Sequence, residues 1–495
     1  MRMPTPDSAI MARQAEIVAA LRNIVTPESV IADRTGLRVY ETDGLTAYRQ
    51  TPLAVVMPAT TDEVSRVLAY CYAHGVKVVP RGGGTSLSGG ALPLTDGIVL
   101  STAKFSRILD VDLANRCAVV QPGVTNLAIT EAVADDGFYY APDPSSQIAC
   151  TIGGNVAENA GGVHCLKYGL TTNNLLGLEA VLITGEVIRL GGKHLDSEAY
   201  DLLGVITGSE GLLCVVTEVT VRLLQNPQAV QAVLAAFPNN TQAGDCVAGI
   251  IGAGLIPAGM EMMDGPAIAA AEDFCHAGYP LDAGALLIVE VDGSEEDVAA
   301  GIARVSEIAT ACGATETRTS QTEEERLKFW SGRKNAFPAI GRISPDYYVM
   351  DGTIPRRRLS EMLALISELS AQSGLAVANV FHAGDGNLHP MIMYDSGVPG
   401  ELECAEELGA EILKACVRMG GVLTGEHGVG VEKRDLMGVM FDPVDLDHQQ
   451  RLKCAFDADG LLNPGKVFPT LHRCAELGRL HVHRGQVPFP DLPRF

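Results

Sequence analysis

Two histidines and an acid–histidine pair carry the strongest chemical signal in this 495-residue chain. The segment His382-Ala383-Gly384-Asp385-Gly386-Asn387-Leu388-His389 puts an imidazole at each end and Asp385-Gly386 at its centre. Asp-Gly is a favoured two-residue hairpin turn. With those residues as the turn, His382 stands directly opposite His389, their Cβ atoms about 5 Å apart on one face. Neutral imidazoles so placed suit a divalent metal, whereas protonated ones repel. The plainer alternative is a pair of histidines capping a polar turn. Further on, Gly425-Glu426-His427-Gly428-Val429-Gly430 offers a carboxylate and another imidazole between glycines, which let a ligand come close to the backbone. On its own this is equally a solvated loop. A third segment, Phe329 to Phe337, holds the single tryptophan, Trp330, together with Arg333 and Lys334. A guanidinium can grip a carboxylate through two parallel bonds, which an ammonium cannot. Read without further context, Arg333 is an arginine on a solvated helix face.

A different chemistry is written in glycine. Pro80-Arg81-Gly82-Gly83-Gly84-Thr85-Ser86-Leu87-Ser88-Gly89-Gly90 has five glycines in eleven residues and follows the apolar run Val76 to Val79. Such a loop adopts positive φ freely, and its successive N–H groups can converge on an anion such as a diphosphate. It is neither the dinucleotide fingerprint, because Leu87 stands in place of the third glycine, nor a P-loop, because no Lys-Ser/Thr pair follows. Taken alone it is as well explained by a mobile surface loop. A second cluster, Thr151 to Gly162, follows the turn-rich run Pro142-Asp143-Pro144-Ser145-Ser146 and reads as another small-residue loop. Gly208-Ser209-Glu210-Gly211 then leads into the strand-like Leu212 to Val216. Several such loops in one domain imply a long ligand threaded against backbone.

These groups need a frame. Ile10 to Val25 reads as an amphipathic helix, with Ile10, Ile17, Leu21 and Ile24 on one side. Thr60-Thr61-Asp62-Glu63 opens a second helix with a capping-box pattern, Val64, Val67, Leu68 and Cys71 form its buried stripe, and Gly75 ends it. Residues 180–183 and 187–190 flank Thr184-Gly185-Glu186 as a hairpin. Strands and helices alternate irregularly to about residue 225, an α+β pattern, and Asn226-Pro227 is a plausible boundary. From there to about Gly420 the chain reads as mainly helical, with clear strands at 285–291 and 376–381.

Composition narrows the field. The length calls for more than one core. With 37 basic and 60 acidic residues the net charge is −23, which argues against nucleic acid or an anionic membrane surface as partner. An anionic substrate would need a local cation. The twelve cysteines include no C-x-x-C, and the closest two are twelve residues apart, so zinc-finger and iron–sulfur patterns are missing. They read as small core residues of a reducing compartment. No run reaches the ~18 apolar residues of a membrane span. The first residues lack a signal peptide's apolar core, and the proline-rich tail from Pro488 reads as loosely held.

The glycine loops and the H-x-G-D-G-N-L-H segment together resemble the FAD-linked oxidases of the vanillyl-alcohol oxidase type, in the branch that oxidises D-2-hydroxy acids. The likeness runs from about Val30 to Phe468. It implies an α+β fold: a two-part FAD-binding domain over residues 1–225, a mixed α+β substrate or cap domain over 226–420, and a segment 421–495 that carries active-site residues and returns to the flavin domain. It implies FAD, held non-covalently, against Pro80, Arg81, Gly82, Gly83, Gly84, Thr85, Ser86 and Gly89, then Pro144 and Ser145. Gly153, Gly154, Asn155, Asn159, Gly161, Gly162, Glu210, Gly211, Val216 and Asn463 complete that set. It further implies a divalent metal (Zn, Mn or Fe) on His382, His389 and Glu426, His427 as general base and Arg333 as carboxylate anchor. Relatives that take larger diacids carry a lysine about fifteen residues after that arginine; here the stretch is Tyr347 to Asp351, so a small monocarboxylate such as glycolate or D-lactate fits better. The implied reaction is hydride transfer to flavin N5. The implied electron acceptors are partner subunits, an iron–sulfur protein and a second flavin-binding subunit, with a cytoplasmic location peripheral to the inner membrane through them. The alternatives are a stand-alone D-lactate dehydrogenase and a non-catalytic flavin-binding scaffold; the latter has no use for the His382, His389, Glu426 and His427 set.

Overall fold

The structure, a computed structural model, describes residues 3–195 and 199–469. The tail from Pro488 lies outside the described residues.

The first glycine loop is set by a helix and the strand after it. Helix α1, Thr61–His74, starts where Thr60 Oγ1 accepts from Glu63 N and ends at Gly75 with φ +68°. Its buried residues are Val64, Val67, Leu68 and Cys71, the expected stripe. The reach-back of the capping box falls one residue early: Glu63 Oε2 accepts from Ala59 N at 2.6 Å. Strand β1, Lys77–Arg81, follows and delivers Gly82 at the sheet's end. It is the edge of a four-stranded sheet, beside Gly97–Ser101, Ala54–Val56 and Val30–Ile31. α1 covers this sheet through Val78, Ile98 and Leu100.

The amphipathic N-terminal stretch is two helices, Ser8–Ala12 and Gln14–Leu21, because Arg13 leaves helical geometry between them. A five-stranded antiparallel sheet holds the expected hairpin, with Val181 opposite Val187. The second glycine cluster is not a loop throughout. Ile152–Glu158 is a helix, α2, opened by Thr151 and closed by Asn159 in the left-handed region. Its two glycines sit in the first turn, whose N–H groups lack helical partners; Ile152 N donates to Val124 O and Gly153 N to Pro122 O instead. The strand expected from Leu212 begins only at Val215.

Beyond residue 226 helices dominate as expected, among them Glu295–Ala311, Leu359–Ser373 and Glu401–Arg418, but the strands are more than the two expected. A seven-stranded sheet spans it, built on β2 (Ala229–Phe237), β3 (Gly259–Asp264) and β4 (Ala285–Gly293), flanked in sequence by helix α3 (Glu323–Lys334), and completed by β5 (Val377–Phe381) and β6 (Pro390–Tyr394). The order is Glu316–Thr319, β2, β4, β3, β5, β6, Asp346–Val349. Both faces are covered. Val233, Ala235 and Phe237 of β2 meet one core and Ala232, Leu234 and Ala236 the other. A strand buried on both sides carries no polar alternation, so periodicity does not separate it from a buried helix.

Among the described residues ten cysteines are free, Cys71, Cys214 and Cys246 among them, and Cys454 is disulfide-bonded, which a reducing compartment does not predict. Among the described residues no helix is long and apolar enough to cross a membrane.

Candidate active site

Backbone register brings the two histidines together, though not by the expected turn. β5 and β6 pair Asn379 with Pro390 and Ala378 with Met391, and an isolated bridge joins His382 to Asn387. His382 N donates to Asn387 O and Gly386 N to His382 O, so the turn has four residues, 383–386, instead of two. His389 is therefore the diagonal neighbour of His382. The register differs from expectation by two positions, and since side chains alternate with period two, both rings stay on one face. Their centroids are 5.1 Å apart. The same face carries Glu261 on β3, whose Oε1 lies 2.6 Å from His382 Nδ1.

Glu426 completes the group. Its Oε1 lies 3.2 Å from His382 Nε2 and 3.3 Å from His389 Nε2. Both ring nitrogens of His389 are buried and lack a well-aligned hydrogen-bond partner. Such orphaned lone pairs beside an anionic oxygen fit a divalent cation. His427 stacks on His389 at 4.8 Å, 7° from parallel. A second set of possible ligands, Asp351, His389 and His427, is also close enough. Asp351, however, is already saturated. It accepts from Thr424 Oγ1 at 2.5 Å, His427 N at 2.8 Å and Asn387 Nδ2 at 2.9 Å, and from Gly425 N and Glu426 N. Its part is to shape the 424–427 loop. A carboxylate of the other half, Glu210, accepts Val429 N at 2.6 Å and Gly430 N at 2.7 Å and pins the loop's far end. Gly425 has no room for a side chain, because a Cβ there would run into Asn387 Nδ2.

Charge separates the roles of these groups. Burial opposes ionisation of Glu426, but the imidazoles of His382, His389 and His427 outweigh it and hold the carboxyl at about 2. Burial also opposes protonation of His382, yet the carboxylates of Glu261 and Glu426 push its pKa well above the usual value. At His427 burial, helped by His389 and Lys433, outweighs Asp351 and Glu426 and lowers the pKa to about 4, so this imidazole is neutral at pH 7. Asp351 is held well below the ordinary range: burial opposes its charge, but His427 and Lys433 outweigh it.

A cavity of about 410 Å³ joins this cluster to the glycine loops. Its walls include Pro80, Arg81, Gly82, Gly83, Gly84, Thr85, Ser86, Pro144, Ser145, Gly153, Gly154, Asn155, Glu210, Gly211 and Val216, and His389, Glu426 and His427 close the other side. A Cβ on Gly82 would meet Thr151 Oγ1, and one on Gly83 would lie 2.7 Å from Ala149 O. Five residues expected on the cofactor lie off the cavity wall. Gly89 backs onto Val431; Gly161 and Gly162 back onto Glu426 and Asp143. Asn159 caps α2 and accepts from Thr172 N. Asn463 ties Gly90 O to Glu210 O. All five support the wall from behind. His382 also stands behind it, as does Arg333.

Arg333 is not on a solvated face. Its side chain is 1% exposed and its Nε donates to Glu261 Oε2 at 2.6 Å, while Nη2 is buried without a partner. Lys334, not Arg333, reaches the cavity wall, with Phe337 and Pro338. Sequence reading missed Glu261 and Asp351, and it placed Glu210 on the cofactor without its bonds to the 429–430 backbone. Their partners lie 36 to 220 residues away, so no local motif marks these contacts.

Known proteins align with this arrangement along most of the chain. The family described as "FAD binding domain" matches residues 52–191, and "FAD linked oxidases, C-terminal domain" matches 226–467. Glycolate oxidase subunit GlcD of Escherichia coli K12 is 56% identical over 482 residues, 97% of each chain. The Bacillus subtilis GlcD is 39% identical and covers 92% of this chain and 97% of its own. A D-lactate dehydrogenase of Archaeoglobus fulgidus is 34% identical, over 88% and 96%. Among solved structures, p-cresol methylhydroxylase with substrate bound superposes with a TM-score of 0.77 at 16% identity, over 92% of this chain and 97% of that one. At that identity the likeness speaks for the fold alone.

Proposed function

The chain belongs to the FAD-linked oxidases, and from that premise we propose that it oxidises a small 2-hydroxy acid, glycolate to glyoxylate, as the catalytic subunit of a glycolate oxidase complex. The carrying observation is the single cavity shared by a glycine-lined cradle and the His389–Glu426–His427 face. The 56% identity to a glycolate oxidase subunit supports glycolate over D-lactate, whose dehydrogenase is the more distant relative at 34%.

The residues present fit both implied groups. The main chain at Gly82 and Gly83 leaves no space for Cβ atoms, as a cradle for FAD requires, and His389 turns an Nε2 without a well-aligned hydrogen bond toward Glu426 Oε1, open to a metal. Bound FAD supplies a hydride acceptor and a bound divalent ion supplies a Lewis acid. The chain does the rest. Arg333, held at Nε by Glu261 just behind the cavity wall, keeps an unpartnered Nη2 that we assign to the substrate carboxylate, with Lys334 of the same helix on the wall itself. His427, neutral because it is buried, takes the hydroxyl proton. Glu261 fixes the ring of His382 through Nδ1, leaving Nε2 toward Glu426. The FAD is non-covalent: His164 is bound to Asp143 and Glu290, away from the cavity wall. We divide the chain into 1–225, 226–420 and 421–495 on this reading. Electrons leave through partner subunits, an iron–sulfur protein and a second flavin-binding subunit, which hold the cytoplasmic chain peripheral to the inner membrane.

Steady-state assays of the purified, FAD-loaded chain with a dye acceptor test the reading. Glycolate should turn over with a higher kcat/KM than either lactate. Turnover of D-lactate alone would make it a D-lactate dehydrogenase, and turnover of neither would leave a flavin-binding scaffold.

A further inference from the structure

The face of helix α3 that carries Arg333 is fixed by a group of residues to which nothing above gives a role. Arg326, Trp330 and Arg333 stand at i, i+4 and i+7, one side of a helix. That side lies against the sheet face bearing Glu261 and Glu290. Gly259 pairs with Glu290 and Glu261 with Ile288, so the two carboxylates are diagonal neighbours on one face. Glu261 takes Arg333. Glu290 takes the other two: its Oε2 accepts Trp330 Nε1 at 2.6 Å and Arg326 Nη1 at 2.7 Å. The opposite oxygen, Oε1, lies 3.0 Å from Nε2 of His164, which belongs to the flavin-binding half. His164 Nδ1 meets Asp143 Oδ2 at 2.8 Å, and its backbone N donates to Asp143 Oδ1 at 3.1 Å. Asp143 directly precedes Pro144 and Ser145 of the cavity wall. The side chain of Glu290 is 3% exposed, so these bonds are little screened.

We propose that Glu290 and His164 are positioning residues for capture of the substrate carboxylate: they dock the helix that carries Arg333 onto the flavin-binding half, so that the guanidinium and the cofactor cradle are set relative to each other. The proposal rests on the reading of Arg333 as the carboxylate anchor. A rigid helix transmits a shift at Trp330 to Arg333 less than one turn away, and small misplacements of a binding group cost up to ~10²-fold in rate. Glu290→Gln keeps the shape but removes the charge that three donors share.

The test measures kcat and KM for glycolate with a dye acceptor in FAD-loaded Glu290→Gln, His164→Ala, Arg333→Lys and the Glu290→Gln/Arg333→Lys double variant, with flavin content and Tm followed in each. The expected result is a KM raised roughly tenfold in Glu290→Gln and His164→Ala, with kcat much less affected, and a double variant no worse than Arg333→Lys alone. A raised KM in Arg333→Lys beside wild-type KM in both Glu290→Gln and His164→Ala overturns the positioning role and leaves the anchor standing. A lower Tm with unchanged KM has the same meaning, that the cluster is structural only. An unchanged KM in Arg333→Lys overturns the anchor and the proposal with it. Should Glu290→Gln fail to fold, His164→Ala decides alone, since its side chain is 27% exposed and Glu290 keeps Arg326 and Trp330 on its other oxygen.

Discussion

The two walls of the cavity are built by opposite means. The cofactor wall is main chain: glycines at the end of β1 and the first turn of α2, with space filled to the last Cβ. The catalytic wall is side chain: Glu261, Asp351, His382, His389 and Arg333 are each buried and lie within one connected set of ion pairs and hydrogen bonds. The first is therefore harmed by added atoms and the second by removed ones. The sharpest break of this contrast is on the metal side. Glu426→Ala, or chelation of the wild type, should abolish glycolate turnover while the flavin absorbance stays, because the cradle contributes no ligand; metal analysis beside a visible spectrum checks it. His427→Ala should come next, slowing single-turnover flavin reduction by about 10²–10⁴-fold with metal and flavin both retained. If His427→Ala lost metal while Glu426→Ala kept it, the two roles would be exchanged.

On the cofactor wall the damaging change is an addition. Gly83→Ala forces a Cβ against the backbone oxygen of Ala149 at 2.7 Å. It should cost about 1–3 kcal/mol and most of the bound FAD, with metal content unchanged, as read by thermal unfolding and flavin fluorescence.

The smallest effect expected comes from an exception. Glu158 lines the cavity, and its Oε2 is buried without a partner. Burial, with Glu210 beside it, raises its pKa well above 4.5 and favours the uncharged acid. Glu158→Gln should therefore cost less than about 1 kcal/mol, where Asp351→Asn, which uncharges a carboxylate holding a whole loop, should cost about 3–5. The sign with pH follows. A raised carboxyl stabilises fully below its unfolded value and loses that contribution as pH rises through the folded one. Calorimetry from pH 4.5 upward should show Glu158→Gln gaining on the wild type.

The same contrast decides what could be read from sequence. Helix α1 is local, and Thr60, its apolar stripe and Gly75 gave it away. The two histidines were legible even through a wrong turn length, because a shift of two preserves the face. The region after residue 226 hid its sheet, since strands such as β2 are apolar on both sides. Asp351 is the clearest miss. It stood in a stretch noticed only for lacking a lysine, and its importance lies in donors from residues 387 and 424–427, which only the folded chain brings near. Arg333 was found, but not its burial, because Glu261 lies 72 residues earlier.

The loop that holds the base is fastened late in the chain to early parts of it: Gly430 N to Glu210, Val431 N to Ser88 O, and, still later, Asn463 to Gly90 and Glu210. A chain emerging from the ribosome carries the glycines of the cofactor wall long before residue 427, but the segment that braces that wall, Leu462 beside Val78 and Asn463 on Gly90 and Glu210, follows residue 427. With His427 as the proposed base, a nascent or clipped chain that lacks this segment has neither a braced cradle nor a fastened base. Synthesis order thus secures both halves of the site in the same late step.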